Sequence, residues 1–155
     1  MIEQLPVWIK LADELRKSLN SGQDFEKLLP PNAILLLKRF REAYQAKDAA
    51  KVGEQLSAEY SGTLYNAHTR EEFVERLKET FRQAPRGLSP NLHVTVFQVV
   101  ERDEPGVFEA VLEFHARFAV LGIPLREIGS GKVSCEARAE MPFGIWRLVR
   151  MDSVK

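Results

Sequence analysis

Cysteine is almost missing from this chain: Cys135 is the single one among 155 residues. That excludes an intrachain disulfide and any cysteine-rich metal site. Charge of one sign is missing too. Twenty-two Lys and Arg balance twenty-two Asp and Glu, so the formal net charge is zero. A nucleic-acid or anionic-membrane binder needs a basic field, and none is indicated. No apolar run approaches the length of a membrane-spanning helix. The first residues carry Glu3, Lys10, Asp13 and Glu14, without the basic-then-apolar layout of a signal peptide. Together with one free thiol, these points lead to the expectation of a cytoplasmic protein. Motifs for nucleotide, phosphate or metal are missing as well, so no cofactor is expected. The three histidines, His68, His93 and His115, match no ligand spacing, so no metal site is expected.

What is present reads as helices first and sheet afterwards. Apolar content of 45% and charged content of 28% suit a globular chain. Residues 1–31 read as an N-terminal helical extension and linker. Ile2, Leu5, Ile9, Leu11 and Leu15 form an apolar stripe with Trp8 beside it, Asn20-Ser21-Gly22 ends it, and Pro30-Pro31 breaks the chain. Residues 32–155 read as one α+β domain. Asn32 is the expected cap of a helix carrying Leu36, Leu37, Phe40, Ala43 and Tyr44 on one face. Asp48 is the expected cap of a short helix with Val52 and Leu56. An extended run is expected over Tyr60–Tyr65, then a capping box of Thr69 and Glu72 opening a helix with Phe73, Leu77 and Phe81, closed by Pro85 and Gly87.

Four alternating segments follow, at 92–100, 107–121, 132–140 and 143–150. The turns between them are expected at Asp103-Glu104-Pro105-Gly106, at Gly122-Ile123-Pro124 and at Pro142–Gly144, with a bulge or loose loop at Gly129-Ser130-Gly131. In the second strand Phe108, Ala110, Leu112, Phe114, Ala116, Phe118 and Val120 share one face; in the third, Val133, Cys135, Ala137 and Ala139 do. In the last, strict alternation puts Trp146, Leu148 and Arg150 together. In the first, it puts Val94, Val96 and Val100 together. Glu113, His115, Arg117, Glu136, Arg138 and Arg147 then make a charged outer face.

Three stretches, Phe40-Arg41-Glu42-Ala43-Tyr44-Gln45-Ala46-Lys47-Asp48, Thr69-Arg70-Glu71-Glu72-Phe73 and Gly144-Ile145-Trp146-Arg147-Leu148, carry a resemblance. In this order the chain resembles the nuclear transport factor 2-like superfamily, and within it the bacterial SnoaL-like and ketosteroid-isomerase-like members, over roughly 33–151. The resemblance implies a cone-shaped, curved antiparallel sheet with helices packed on its concave face. It also implies a pocket between sheet and helices and, often, a homodimer through the outer sheet face. The superfamily holds isomerases, dehydratases, cyclases and proteins without enzymatic activity, so fold alone does not give function.

The inward register carries no carboxylate on the second or third strand, so no catalytic residue is assigned. Asp48 reads as a helix cap and Cys135 as an inert core thiol. Tyr44, Tyr60 and Tyr65 are either oxyanion-type donors or core aromatics with a polar tip. An apolar ligand pocket is expected among Phe40, Tyr44, Tyr60, Phe114, Phe118 and Trp146, with Ala116, Cys135 and Ala137 supplying room. The leading functional expectation is a non-catalytic ligand-binding or interaction protein. The alternatives are an isomerase or cyclase acting on an apolar carbonyl compound, and a protein-assembly module. The expected partners are a second copy of the chain and a small apolar ligand.

Overall fold

The computed structural model describes residues 23–25, 29–84, 88–100, 102–120, 123–140 and 144–154. The expected N-terminal helix, and the expected breaks at Pro85, Gly87, Gly122 and Pro142, lie outside the described residues.

Six strands form one sheet: β1 (Gln23–Asp24), β2 (Leu56–Gly62), β3 (Ser89–Val100), β4 (Val107–Val120), β5 (Ile123–Glu140) and β6 (Ile145–Val154), in the order β1-β3-β4-β5-β6-β2. All pairs are antiparallel except β2 with β6. The sheet is curved and open. Among the described residues three α-helices accompany it: α1 (Pro31–Gln45), α2 (Ala49–Glu54) and α3 (Arg70–Arg82). The molecule is therefore α+β, with helices packed against one face of the sheet. Gln23–Asp24, within the segment read as extension and linker, adds an edge strand to β3. Phe25 beside it is fully buried beneath the Arg41 guanidinium.

Alternation explains the sheet. Phe108, Ala110, Leu112, Phe114, Ala116 and Phe118 are buried, while Glu109, Val111, Glu113, His115 and Arg117 are half-exposed. Val133, Cys135 and Ala137 continue the buried row on β5. The buried face of α1, with Leu36, Leu37, Phe40, Ala43 and Tyr44, and that of α3, with Phe73 and Leu77, complete the core. Gln45 Oε1 accepts from Leu92 N at 3.1 Å and ties the end of α1 to β3.

Several local expectations are corrected. The N-cap of α1 is Pro30, and Asn32 lies inside the helix. Pro31 explains this: its fixed φ and missing N–H suit the first helical position. Asp48 does cap α2, accepting from Lys51 N at 3.1 Å. Thr69 caps α3 by accepting from Glu72 N at 3.1 Å, but Glu72 reaches back to His68 N instead of Thr69 N. The extended run begins at Leu56 and stops at Gly62. Leu64–Asn66 is a 3₁₀ turn with Tyr65 and Asn66 at φ of 59° and 54°. Pairing to β6 sets the early start, and the turn redirects the chain into α3.

Two bulges break the expected alternation. On β6, Arg150 pairs with Glu136 and Leu148 with Ala137, leaving Val149 as the extra residue. One inserted residue reverses every later side chain. Met151, not Arg150, is therefore buried, opposite Cys135. On β3 the register skips Phe97, which is 50% exposed, so Val100 pairs with Glu109 on the outer face rather than joining Val94 and Val96.

Arg150, turned outward, joins an ionic network on the convex face. Arg102 contacts Glu104, Glu109 and Glu136, each at 2.7 Å, and Arg150 contacts Glu109 at 3.2 Å and Asp152 at 2.7 Å. Burial alone would raise the Glu136 pKa, but hydrogen bonds from Arg102 and Arg138 outweigh it and hold the carboxyl below its usual range. A carboxylate depressed in the folded state stabilises above its unfolded pKa, about 4.3, and loses that contribution as pH falls through its folded value. Acid unfolding followed by circular dichroism is therefore expected to be shallower in Glu136→Gln than in the wild type below about pH 4.

Gly62 shows how tightly β2 and β6 are joined. A Cβ there would collide with the Met151 carbonyl and the Tyr60 hydroxyl, which donates to that same carbonyl at 3.4 Å. Gly62→Ala is expected to cost about 1–3 kcal/mol in urea unfolding. An unchanged midpoint would show that the seam can widen.

Candidate functional site

An apolar pocket of about 280 Å³ opens between β4, β5, the end of β6 and the 3₁₀ turn. Leu64, Phe114, Ala116 and Val133 form its apolar walls, with Tyr65 and Ser153 at the rim. Its origin lies in register. Phe114 pairs with Gly131 and Ala116 with Gly129, so the two glycines occupy the inward row that continues through Val133, Cys135 and Ala137. A Cβ at either glycine would meet nothing within 4 Å. Two missing side chains on one row thus make the space.

Of the residues expected around a pocket, Phe114 lines this one directly, together with Ala116. Phe40 stands behind Phe114, ring centroids 6.0 Å apart, and contacts Phe73 at 6.4 Å. Tyr60 packs edge-on against Phe73 at 5.9 Å. Cys135 and Ala137 are buried further along the β5 row, 1% exposed each. Phe118 is buried and pairs in register with Arg126, and Trp146 is half-buried where β6 begins, opposite Ala139. Gly129 and Gly131 were not singled out as pocket-forming. The signal was available: they fall in phase, two by two, with Val133, Cys135, Ala137 and Ala139.

Tyr65 links this pocket to a second space. An open groove of about 790 Å³ along α3, with Glu71, Glu75, Arg76 and Glu79, shares Tyr65 and Ser153 with it. The groove carboxylates pair with neighbouring cations on α3 (Glu71 with Arg70, Glu75 with Lys78, Glu79 with Arg82), which marks a solvated helix face. Tyr65 is 41% exposed and packs on Phe73 at 5.6 Å. Its phenolic oxygen is nonetheless desolvated, which raises its pKa, while the neighbouring Tyr44 hydroxyl lowers it less.

Tyr44 is 1% exposed, and its hydroxyl meets no hydrogen-bond partner among the described residues. Burial raises its pKa, and the nearby Tyr65 hydroxyl adds to this. The Tyr60 phenol is also raised, chiefly by burial. Burial pushes the Cys135 thiol up to about 12, so it is not a nucleophile at neutral pH. His68 is occupied by the loop: its Nδ1 lies 3.0 Å from Gly62 O. Among the described residues no group of three His, Cys, Asp or Glu side chains is placed to hold a metal ion.

The fold and pocket define a class: an open, curved sheet wrapped on helices, as found in small α+β proteins of several kinds. The neighbours with solved structures are particular. Aln2 from a Streptomyces species matches with a TM-score of 0.66 at 12% identity, covering 81% of this chain and 91% of that one. ActVI-ORFA from Streptomyces coelicolor matches at 0.62 and 14% identity, covering 78% and 92%. A protein of unknown function with a cystatin-like fold from Nostoc punctiforme matches at 0.55 and 15% identity, covering 79% and 86%. At such identities the likeness is one of fold. No family model and no curated protein matches the sequence.

The orphaned Tyr44 hydroxyl generates a prediction. A buried polar group without a partner costs about 1–3 kcal/mol. Tyr44→Phe is therefore expected to raise the melting temperature by a few degrees in calorimetry. A fall in melting temperature would mean that the hydroxyl is satisfied in solution.

Proposed function

We propose that the protein is a nuclear transport factor 2-like member that holds a small apolar molecule in the Gly129–Gly131 pocket and does not transform it. The paired glycines carry this reading. Gly131 is exposed and Gly129 half-buried, and a Cβ at either would meet nothing within 4 Å, so the inward row ends in open space that a ligand can enter. The volume of about 280 Å³ lies just below the span of about 300–1,000 Å³ of drug-sized ligand sites, which suits a small molecule. Apolar walls with hydroxyls of Tyr65 and Ser153 at the rim suit a hydrophobic compound with one polar end. Among the described residues neither a carboxylate nor an imidazole lines the pocket, and the one charged lining residue among them, Lys132, rests its ammonium 3.7 Å from the Phe97 ring centroid. An isomerase or cyclase would need a general base within reach of substrate, which this lining does not supply.

The expected homodimer belongs to the same proposal. Half-exposed Phe97 on the convex face is the apolar contact that supports it. No helix among the described residues is long and apolar enough to cross a membrane.

The test is to fill the pocket. Gly131→Leu is expected to weaken binding of an apolar fluorescent probe by about tenfold while leaving the melting temperature nearly unchanged. Ala137→Phe, at a position 1% exposed, is expected instead to cost about 1–3 kcal/mol by overpacking. Probe binding that survives Gly131→Leu unaltered would place the ligand elsewhere and sink the proposal.

A further inference from the structure

The apolar pocket lies against backbone as well as side chains. The pairing of β6 with β5 ends at Val154, opposite Lys132. β5 extends beyond that row and stays paired with β4 as far as Ile123. Among the described residues, 123–131 therefore have a strand on one side only. In an antiparallel ladder successive residues turn their N–H and C=O to opposite neighbours, so the groups turned away from β4 here have no ladder partner. Ser130 and Gly131 are exposed and Gly129 is half-buried, so water or a ligand reaches this edge. Gly129, Ser130, Gly131, Ser153 and Val154 all line the pocket. The pocket thus sits where β6 stops and β5 offers an open edge.

The usable edge is short. Ala116 pairs with Gly129 and Arg117 with Glu127, which leaves Ile128 as an extra residue. A second shift follows between Phe118 and Ala119, where Pro124 enters the row without an N–H. Bulges bend a strand and interrupt its ladder. Only Gly129–Gly131 continues the regular line of β5, and at about 3.3 Å per residue it has room for a single residue-sized partner rather than an added strand. Neither glycine carries a side chain, so a ligand can approach this backbone closely.

We propose that the ligand of this pocket is a small N-acylated α-amino acid derivative. The inference rests on the pocket reading above and adds the chemistry of the polar end. One amino-acid unit carries an N–H and a C=O that point the same way in extended form, the complement of one residue of a strand edge. Its N–H donates to a carbonyl of the Gly129–Gly131 edge, and its C=O accepts from an edge N–H. Its apolar side chain then lies against Leu64, Phe114, Ala116 and Val133.

The probe is N-acetyl-leucine methylamide, compared with its ester analogue, in which oxygen replaces the acyl N–H. Both are titrated into the nitrogen-labelled full chain, following the backbone amide signals by NMR and the displacement of an apolar fluorescent probe. The amide compound is expected to displace the fluorescent probe. It is also expected to slow solvent exchange of at least one amide within Gly129–Gly131 by about fivefold or more. The ester analogue is expected to bind about fivefold more weakly. That sign discriminates, because the ester is less hydrated and would bind at least as well if apolar burial alone counted. An ester that binds equally or more tightly overturns the proposal, and so does an amide compound that fails to bind or leaves the edge amides unprotected. If either happens while Gly131→Leu still weakens the fluorescent probe, the apolar pocket stands and the amino-acid ligand falls. If Gly131→Leu leaves binding of both the probe and the amide compound unaltered, both readings fall.

Discussion

The pairing of β6 between β5 and β2 is the constraint on which the rest of the structure depends. β6 carries antiparallel bonds on one side and parallel ones on the other, and the bulge at Val149 sits between them. That single extra residue turns Met151 into the core and Arg150 out to the ionic network. Burying an arginine without a partner costs far more than a bulge, so the alternation had to break there. The close approach at Gly62 follows from the same seam, since only a residue without Cβ lets β2 reach the Met151 carbonyl.

The site inherits its position from this seam. Where β2 leaves β6, Thr63 N donates to Met151 O at 3.1 Å and the chain enters its 3₁₀ turn. The turn throws Tyr65 into a left-handed conformation at the mouth of the apolar pocket. A bulky residue at positive φ is a local cost that the surrounding pairing must hold in place. Across the mouth, Gly129 and Gly131 leave their inward positions bare. The pocket thus lies where a turn forced by strand pairing meets a row of missing side chains, while the aromatic cluster of Phe40, Phe73 and Phe114 fills the space behind.

The two faces of the sheet divide the chemistry. The concave face is apolar, and its polar atoms are phenols raised in pKa by burial. The convex face gathers Arg102, Glu109, Glu136 and Arg150 at one end and the His93–His115 row at the other. Period-two alternation on β4 and β5 produces both faces at once, because each strand contributes alternate residues to each side.

Much of this was legible in the residues. The alternation of 107–118 and 133–137 named the inward row, Asp48 and Thr69 named two caps, and the order of helices and strands named an α+β fold with a curved sheet. These are signals within a few residues of one another, and their physics is local: side-chain period, fixed φ, a hydroxyl or carboxylate reaching a nearby N–H. What lay beyond them depends on partners distant in the chain. The Val149 and Phe97 bulges exist only because particular neighbours demand a register, so the sequence by itself placed Arg150 on the wrong face. Asn32 lost its cap role to a proline pair whose geometry fits a helix start better. His93 and His115, twenty-odd residues apart with no motif between them, became neighbours through strand pairing alone. The tertiary structure decided these points because register is a property of two strands, and one strand read alone cannot contain it.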